Sequence, residues 1–230
     1  MHSLKDKVVL ITGAGRGAGR SIALSLASQG AIIAANDISP VNLDDTVRLI
    51  SQSGGKVKDY VIDISKKMPV QRLINTVLDD WSRIDILINY ANVEPTVAVM
   101  DIDEWDMRRT IDVNLVAPIL TTQIVGRVMK ESGGGTIINV IHWKNHEKKT
   151  ISFASKVGLL GFTHQVVQEY APNNIHVFAV CKGLLDKSLL YYFSSQNPVS
   201  LDKFPDIPSA VVHLCKNVPQ SNDHFIYLSN

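Results

Sequence analysis

Two cysteines in 230 residues, Cys181 and Cys215, are too few for a disulfide framework or a zinc cluster. Reduced thiols in a cytoplasmic protein are the simplest expectation. No apolar run approaches the roughly 18 residues that a membrane span needs. The opening MHSLKDKVVLITG lacks the apolar stretch and small-residue cleavage site of a signal peptide. Charge of one sign is also missing. Lys and Arg number 23, Asp and Glu 22, and the net charge is +1. That excludes a broad basic surface for nucleic acid and an acidic tail. Repeats, low-complexity tracts and Pro/Ser-rich linkers are absent, so residues 1–230 read as a single domain. What remains is an ordinary globular balance, 45% hydrophobic and 20% charged, in a chain long enough to bury a substantial core.

Apolar runs of strand length alternate with segments of helical period. The runs predict seven strands: Val8–Thr12, Ala31–Asn36, Lys56–Ile62, Ile84–Asn89, Thr136–Ile141, Ile175–Val180 and Phe225–Leu228. Several are apolar at nearly every position, as strands buried on both faces must be. Helices are expected over Arg20–Gln29, Val41–Gln52, Val70–Trp81, Glu104–Glu131, Ile151–Tyr170 and Ser209–Lys216, with glycines or prolines behind most of them. This alternation predicts an α/β fold, a doubly wound parallel sheet with right-handed crossovers and helices on both faces. Gly183–Pro208 is too long for an ordinary connection. It reads as a candidate lid over the ligand crevice, and its run of Leu, Tyr and Phe fits an oligomer contact equally well.

Thr12-Gly13-Ala14-Gly15-Arg16-Gly17-Ala18-Gly19 joins the first strand to the first helix. Glycines here allow a tight turn, let backbone N–H groups approach a pyrophosphate, and let helix and strand pack closely. The helix N-terminus adds free N–H groups and a positive dipole end. Asp37, at the end of the second strand, would accept hydrogen bonds from the adenosine ribose and repel a 2′-phosphate, so NAD is favoured over NADP. Arg16 pulls the other way. The competing reading of Asp37 is a loop carboxylate that caps the next helix.

From about Lys5 to Leu228 the chain resembles the short-chain dehydrogenase/reductase family. Its TGxxxGxG motif stands as Thr12-Gly13-xxx-Gly17-x-Gly19. Its acid after the third strand stands as Asp63 in VIDIS, its NNAG as Asn89-Tyr90-Ala91-Asn92, its active-site Asn as Asn114 in IDVNLVAP, and its YxASKxGLxGFT as SFASKVGLLGFT. The resemblance implies a Rossmann-like, usually oligomeric oxidoreductase acting on alcohols or carbonyls. It implies cofactor contacts from Gly13, Gly15, Arg16, Gly17, Ala18 and Gly19 on the glycine loop. Further contacts would come from Asp37, Asp63, Ile64, Asn89, Ala91, Asn92, Lys156 and Gly183. A homo-oligomer, dimer or tetramer, would pair through the two long helices, with no nucleic acid or membrane partner.

Family chemistry rests on an Asn, a Ser, a Tyr and a Lys. Asn114 and Lys156 match, but the Tyr position carries Ser152 and the Ser position carries His142. An aliphatic hydroxyl is shorter than a phenol and far less acidic, so Ser152 fails in reach and in pKa. His142 is the interesting substitution, because imidazole titrates near neutrality and is a common general acid or base. The blander reading is a crevice-lining histidine bonded to a loop carbonyl. His142 and His146 make no metal site without a third ligand, and the run 144–149 reads as a solvated basic loop. Tyr90 is the next proton-donor candidate. Two expectations stand side by side: an NAD(H)-dependent oxidoreductase with an atypical active site, and a catalytically inactive nucleotide-binding protein acting as sensor or assembly partner. A lyase or epimerase reusing the scaffold is the third.

Overall fold

In a computed structural model of the chain, residues 3–143, 148–183, 199–200, 204–217 and 224–228 are described, 199–200 by backbone alone. The strands are β1 (Val8–Thr12), β2 (Ile32–Asp37), β3 (Lys56–Val61), β4 (Ile86–Asn89), β5 (Gly135–His142), β6 (Ile175–Lys182), β7 (Val199–Ser200) and β8 (Phe225–Leu228). The helices are α1 (Gly17–Ala27), α2 (Pro40–Gln52), α3 (Lys67–Trp81), α4 (Glu104–Ile111), α5 (Ala117–Glu131), α6 (Thr150–Tyr170) and α7 (Ile207–Lys216). All strands join one sheet in the order β3-β2-β1-β4-β5-β6-β8-β7, and every pairing is parallel. The seven expected strands are present. The two-residue β7 adds a short edge beside β8, within the candidate lid. Most of that candidate lid, 184–198 and 201–203, lies outside the described residues.

Strand pleating explains the two-faced core. Val9, Ile11 and Ile33 point to one face, where they meet Ile22 and Leu26 of α1, Leu43 of α2 and Leu214 of α7. Their neighbours Val8, Leu10 and Ile32 point to the other, against Leu73 of α3, Val125 of α5 and Val166 of α6. Successive side chains alternate between faces, so a strand covered on both sides must be apolar throughout. The strand order reverses between β1 and β4, which opens a crevice at the carboxyl ends of the central strands.

The expected single helix over Glu104–Glu131 is interrupted. A π-helical turn, Asp112–Val116, separates α4 from α5, and the Ala117 N–H donates to the Asp112 carbonyl five residues back. The cause is Pro118, which has no N–H for the Asn114 carbonyl four residues earlier, so the ladder widens there. Asn114 sits in the middle of that turn, with its side chain facing inward.

Candidate active site

The glycine loop is built by its neighbours as much as by its glycines. Gly13 has φ +72°, and a Cβ there would lie 2.7 Å from the Ala91 Cα. At Gly19 a Cβ would lie 2.1 Å from the Gly13 carbonyl oxygen. Arg20 Nε donates to the Gly15 carbonyl at 3.0 Å, and Thr46 Oγ1 donates to the Ala14 carbonyl at 2.9 Å, tying the loop to α2. Thr12 Oγ1 accepts from the N–H groups of Tyr90 and Ala91 at 3.1 and 3.3 Å, fixing the chain after β4 beside β1.

A cavity of about 750 Å³ opens between these segments, within the range of roughly 300–1,000 Å³ for small-molecule sites. Its walls carry Gly13, Arg16 and Gly17 from the loop, Asp37 at the end of β2 with Ile38 after it, Asp63 and Ile64 after β3, and the run from Tyr90 to Pro95 after β4. Gly17 has φ +55°, and a Cβ there would meet nothing nearer than the Tyr90 hydroxyl at 3.8 Å. Asp37 Oδ2 accepts from the Gly15 N–H at 2.9 Å, and Oδ1 from the Ser39 N–H at 3.0 Å. Each oxygen keeps a second acceptor position. The α2 cap is Ser39, whose side chain accepts from the Asn42 N–H, so Asp37 is not that cap. Asp63 accepts from the Ser65 N–H and from Arg109 Nη1, at 2.9 and 2.8 Å. Burial raises its pKa, but these hydrogen bonds and the guanidinium charge outweigh that and hold it below the ordinary value.

Beyond the cavity wall lies a buried polar cluster. Asn114 Oδ1 accepts from the Val93 N–H at 2.8 Å, and Nδ2 donates to the Val93 carbonyl at 2.9 Å and to Ser155 Oγ at 3.2 Å. The residue thus clamps the loop after β4 from both sides. Next in that loop is Glu94, whose carboxylate is ion-paired with Lys156 and with Lys149. Lys156 Nζ also donates to the His142 carbonyl at 2.7 Å. Ser152 is 2% exposed, and its carbonyl accepts from Ser155 Oγ.

A family model for short chain dehydrogenases matches residues 7–197. The chain belongs to that family. It is 34% identical over 186 residues to the 3-oxoacyl-acyl-carrier-protein reductase FabG of Thermotoga maritima, covering 80% of this chain and 76% of that one. It is 32% identical over 222 residues to the hydroxy(phenyl)methyl-succinyl-CoA dehydrogenase subunit BbsD of Thauera aromatica, covering 92% and 90%. A metagenomic short-chain oxidoreductase solved with NADP superposes with a TM-score of 0.85 over 99% of both chains, at 25% identity. The fold of 7α-hydroxysteroid dehydrogenase, solved with NADH and 7-oxo glycochenodeoxycholic acid, is likewise shared, with a TM-score of 0.82, 22% identity, and 98% and 93% coverage. The family is one of oxidoreductases that use nicotinamide dinucleotides.

In this short-chain dehydrogenase the cavity gathers Gly13, Arg16, Gly17, Asp37, Asp63, Ile64, Ala91 and Asn92 of the expected cofactor contacts. Others stand apart from its wall. Gly15 spends its N–H on Asp37. Asn89 is 3% exposed, and its amide donates to Asn139 Oδ1 and Thr122 Oγ1 while accepting from Thr121 Oγ1. It holds β4, β5 and α5 together. Gly183 has φ +107°, and a Cβ there would meet the Trp143 carbonyl oxygen at 2.0 Å. Gly19 packs against Gly13 and the Tyr90 ring, and the Ala18 N–H faces the Tyr90 phenol. Tyr90 thus lies on the cavity wall with its phenol toward the first turn of α1. Burial, more than the charge of Glu94, raises its pKa, against the opposing pull of Ala18 and Arg16.

The expected catalytic residues do come together, through main chain as much as side chain. Lys156 bridges the His142 carbonyl and Glu94, and Asn114 holds the residue before Glu94. Sequence reasoning missed Glu94. Its only signal was position, a carboxylate in the loop after a central strand, on the crevice side. Residues 144–147 of the basic run, His146 among them, lie outside the described residues; at its end the expectation of a solvated loop needs correcting, because the Lys149 side chain is 13% exposed and ion-paired with Glu94. Cys181 and Cys215 are buried. Desolvation pushes both thiols up, Cys215 to about 12, which leaves them as inert packing.

Proposed function

We propose that this short-chain dehydrogenase is an NAD(H)-dependent oxidoreductase of an alcohol or carbonyl substrate, with an atypical proton-transfer site. The observation that carries this reading is Asp37, a carboxylate on the cavity wall with acceptor capacity to spare, beside a glycine that leaves the cavity open at the α1 N-terminus. A 2′-phosphate at that carboxylate meets like charge, whereas ribose hydroxyls find acceptors. The bound nicotinamide supplies the hydride acceptor or donor. The chain's own residues do the rest. Gly17 and the first turn of α1 bind the pyrophosphate, and Asp63 and Ile64 flank the adenine. Lys156 holds the nicotinamide ribose, steadied by the His142 carbonyl. By the resemblance of the motifs, Ser152 and His142 take the places of the family's Tyr and Ser, and the substrate oxygen exchanges its proton through a different donor.

Titration with both dinucleotides tests the reading. NAD(H) is expected to bind more tightly than NADP(H), and Asp37→Ala to narrow the gap. Equal or tighter NADP(H) binding by the parent protein overturns the preference. Turnover of a panel of ketones and alcohols tests the oxidoreductase itself. Tight NADH binding with no turnover returns the inactive sensor or assembly reading.

A further inference from the structure

Glu94 has no counterpart in the motifs that mark the family, and it occupies a distinctive place. It follows the clamped Val93, lines the cavity, and its side chain is only 14% exposed. One carboxylate oxygen faces the Lys156 ammonium, and the other accepts from Lys149 Nζ at 3.2 Å. Burial raises its pKa, but the hydrogen bond and charge of Lys156, then those of Lys149, outweigh burial and hold the carboxyl below its ordinary value. At neutral pH the group is an anion.

The cavity gives this anion a direction. Its lining follows the order of the sheet: Asp63 after β3, Asp37 at the end of β2, the glycine loop after β1, and Asn92, Val93 and Glu94 after β4. With the adenosine ribose at Asp37 and the pyrophosphate at α1, the nicotinamide half extends toward Glu94. Nicotinamide is the part of the cofactor whose charge changes in the reaction: the oxidised ring is a cation and the reduced ring is neutral. A fixed charge beside it therefore acts on one redox state and hardly on the other. We infer that Glu94 sets the redox preference of the site, binding NAD+ more tightly relative to NADH than the flanking lysines alone would allow. This rests on the cofactor reading proposed above. Without the carboxylate, two ammonium groups face the cationic ring uncompensated. Without Lys149, the balance moves the other way.

Calorimetric titration of the parent, Glu94→Gln and Lys149→Met with NAD+, NADH and ADP-ribose tests it. ADP-ribose carries the adenosine, pyrophosphate and ribose but no nicotinamide. Glu94→Gln keeps the side-chain shape and is expected to weaken NAD+ relative to NADH by about tenfold, the scale of one partly screened unit charge. Lys149→Met is expected to shift the same ratio in the opposite direction, which general damage to the fold would not do. ADP-ribose affinity is expected to stay within about twofold in both variants. An NAD+/NADH ratio that stays put, or moves the same way in both variants, overturns the inference, as does a loss of ADP-ribose affinity matching that of NAD+. A parent protein that binds none of the three overturns the cofactor reading itself.

Discussion

Single atoms decide whether the glycine loop closes. A methyl at Gly19 would lie 2.1 Å from the Gly13 carbonyl oxygen, a backbone atom with no rotamer to retreat into. A methyl at Gly17 finds open space but sits at φ +55°. Gly19→Ala is therefore expected to cost about 2–3 kcal/mol by overpacking, and Gly17→Ala about 1 kcal/mol from conformation alone. Thermal melts rank the two, and the reverse order would refute the packing account. Such glycines are legible in sequence because their spacing is a motif. Glu94 is not, because its partners Lys149 and Lys156 lie 55 and 62 residues away, and no local pattern announces a pair closed across that distance. His142 shows a different limit. Its place at the end of β5 is legible, yet the contact that joins it to Lys156 uses its carbonyl, a group every residue carries. His142→Ala keeps that contact and is expected to leave NADH affinity within about twofold; a large loss in the same titration would assign the ring a binding role.

Elements are pinned to one another by a few buried polar groups. Asp85, just before β4, accepts from Lys7 Nζ and the Val8 N–H at 2.9 Å each, and from Arg83 Nε at 2.8 Å, joining the starts of β1 and β4. Burial raises its pKa, but Arg83, Lys7 and the Val8 N–H together depress it. A carboxyl with a depressed folded pKa stabilises the fold fully above its unfolded value near 3.9 and loses that contribution as pH falls through the folded value. Asp85→Asn is expected to lower the melting temperature at pH 7 and to bring parent and variant together below about pH 4. A constant difference across that range would rule out the linkage. Asn114 does similar work between the π-helical turn, the loop after β4 and α6. Asn114→Ala strips three buried hydrogen bonds and leaves Val93 N–H without its acceptor, at about 2–4 kcal/mol by chemical denaturation. Central strand positions were readable because burial on both faces leaves an uninterrupted apolar run. The break in the long helix was not, because apolar residues continue through Asp112–Val116 and only Pro118 marks the lost N–H.

At the scale of the whole molecule, the two long helices carry more apolar surface than the sheet uses. Val125, Leu160 and Val166 are sunk in the core. Ile111, Leu115 and Ile119 fall at four-residue steps through α4, the π-helical turn and α5, and all three are only half-buried, as are Val157 and Phe162 on α6. Leu115 packs close to Gly158, where a Cβ would meet its Cδ2 at 3.1 Å, so the two half-buried rows adjoin. One apolar face shared by two helices is self-complementary under a two-fold axis. A net charge of +1 also leaves little long-range repulsion between copies. We propose that this face pairs two subunits, as a dimer or as half of a tetramer. Light scattering at micromolar concentration is expected to give at least twice the 25.3 kDa of the chain. Ile119→Arg with Val157→Arg places four like charges across the two-fold contact, two from each copy, and is expected to yield monomers. Because neither side chain is sunk in the core, the variant should keep its secondary structure by circular dichroism. A monomeric parent removes the proposal, and a double variant that still assembles moves the contact elsewhere on the surface.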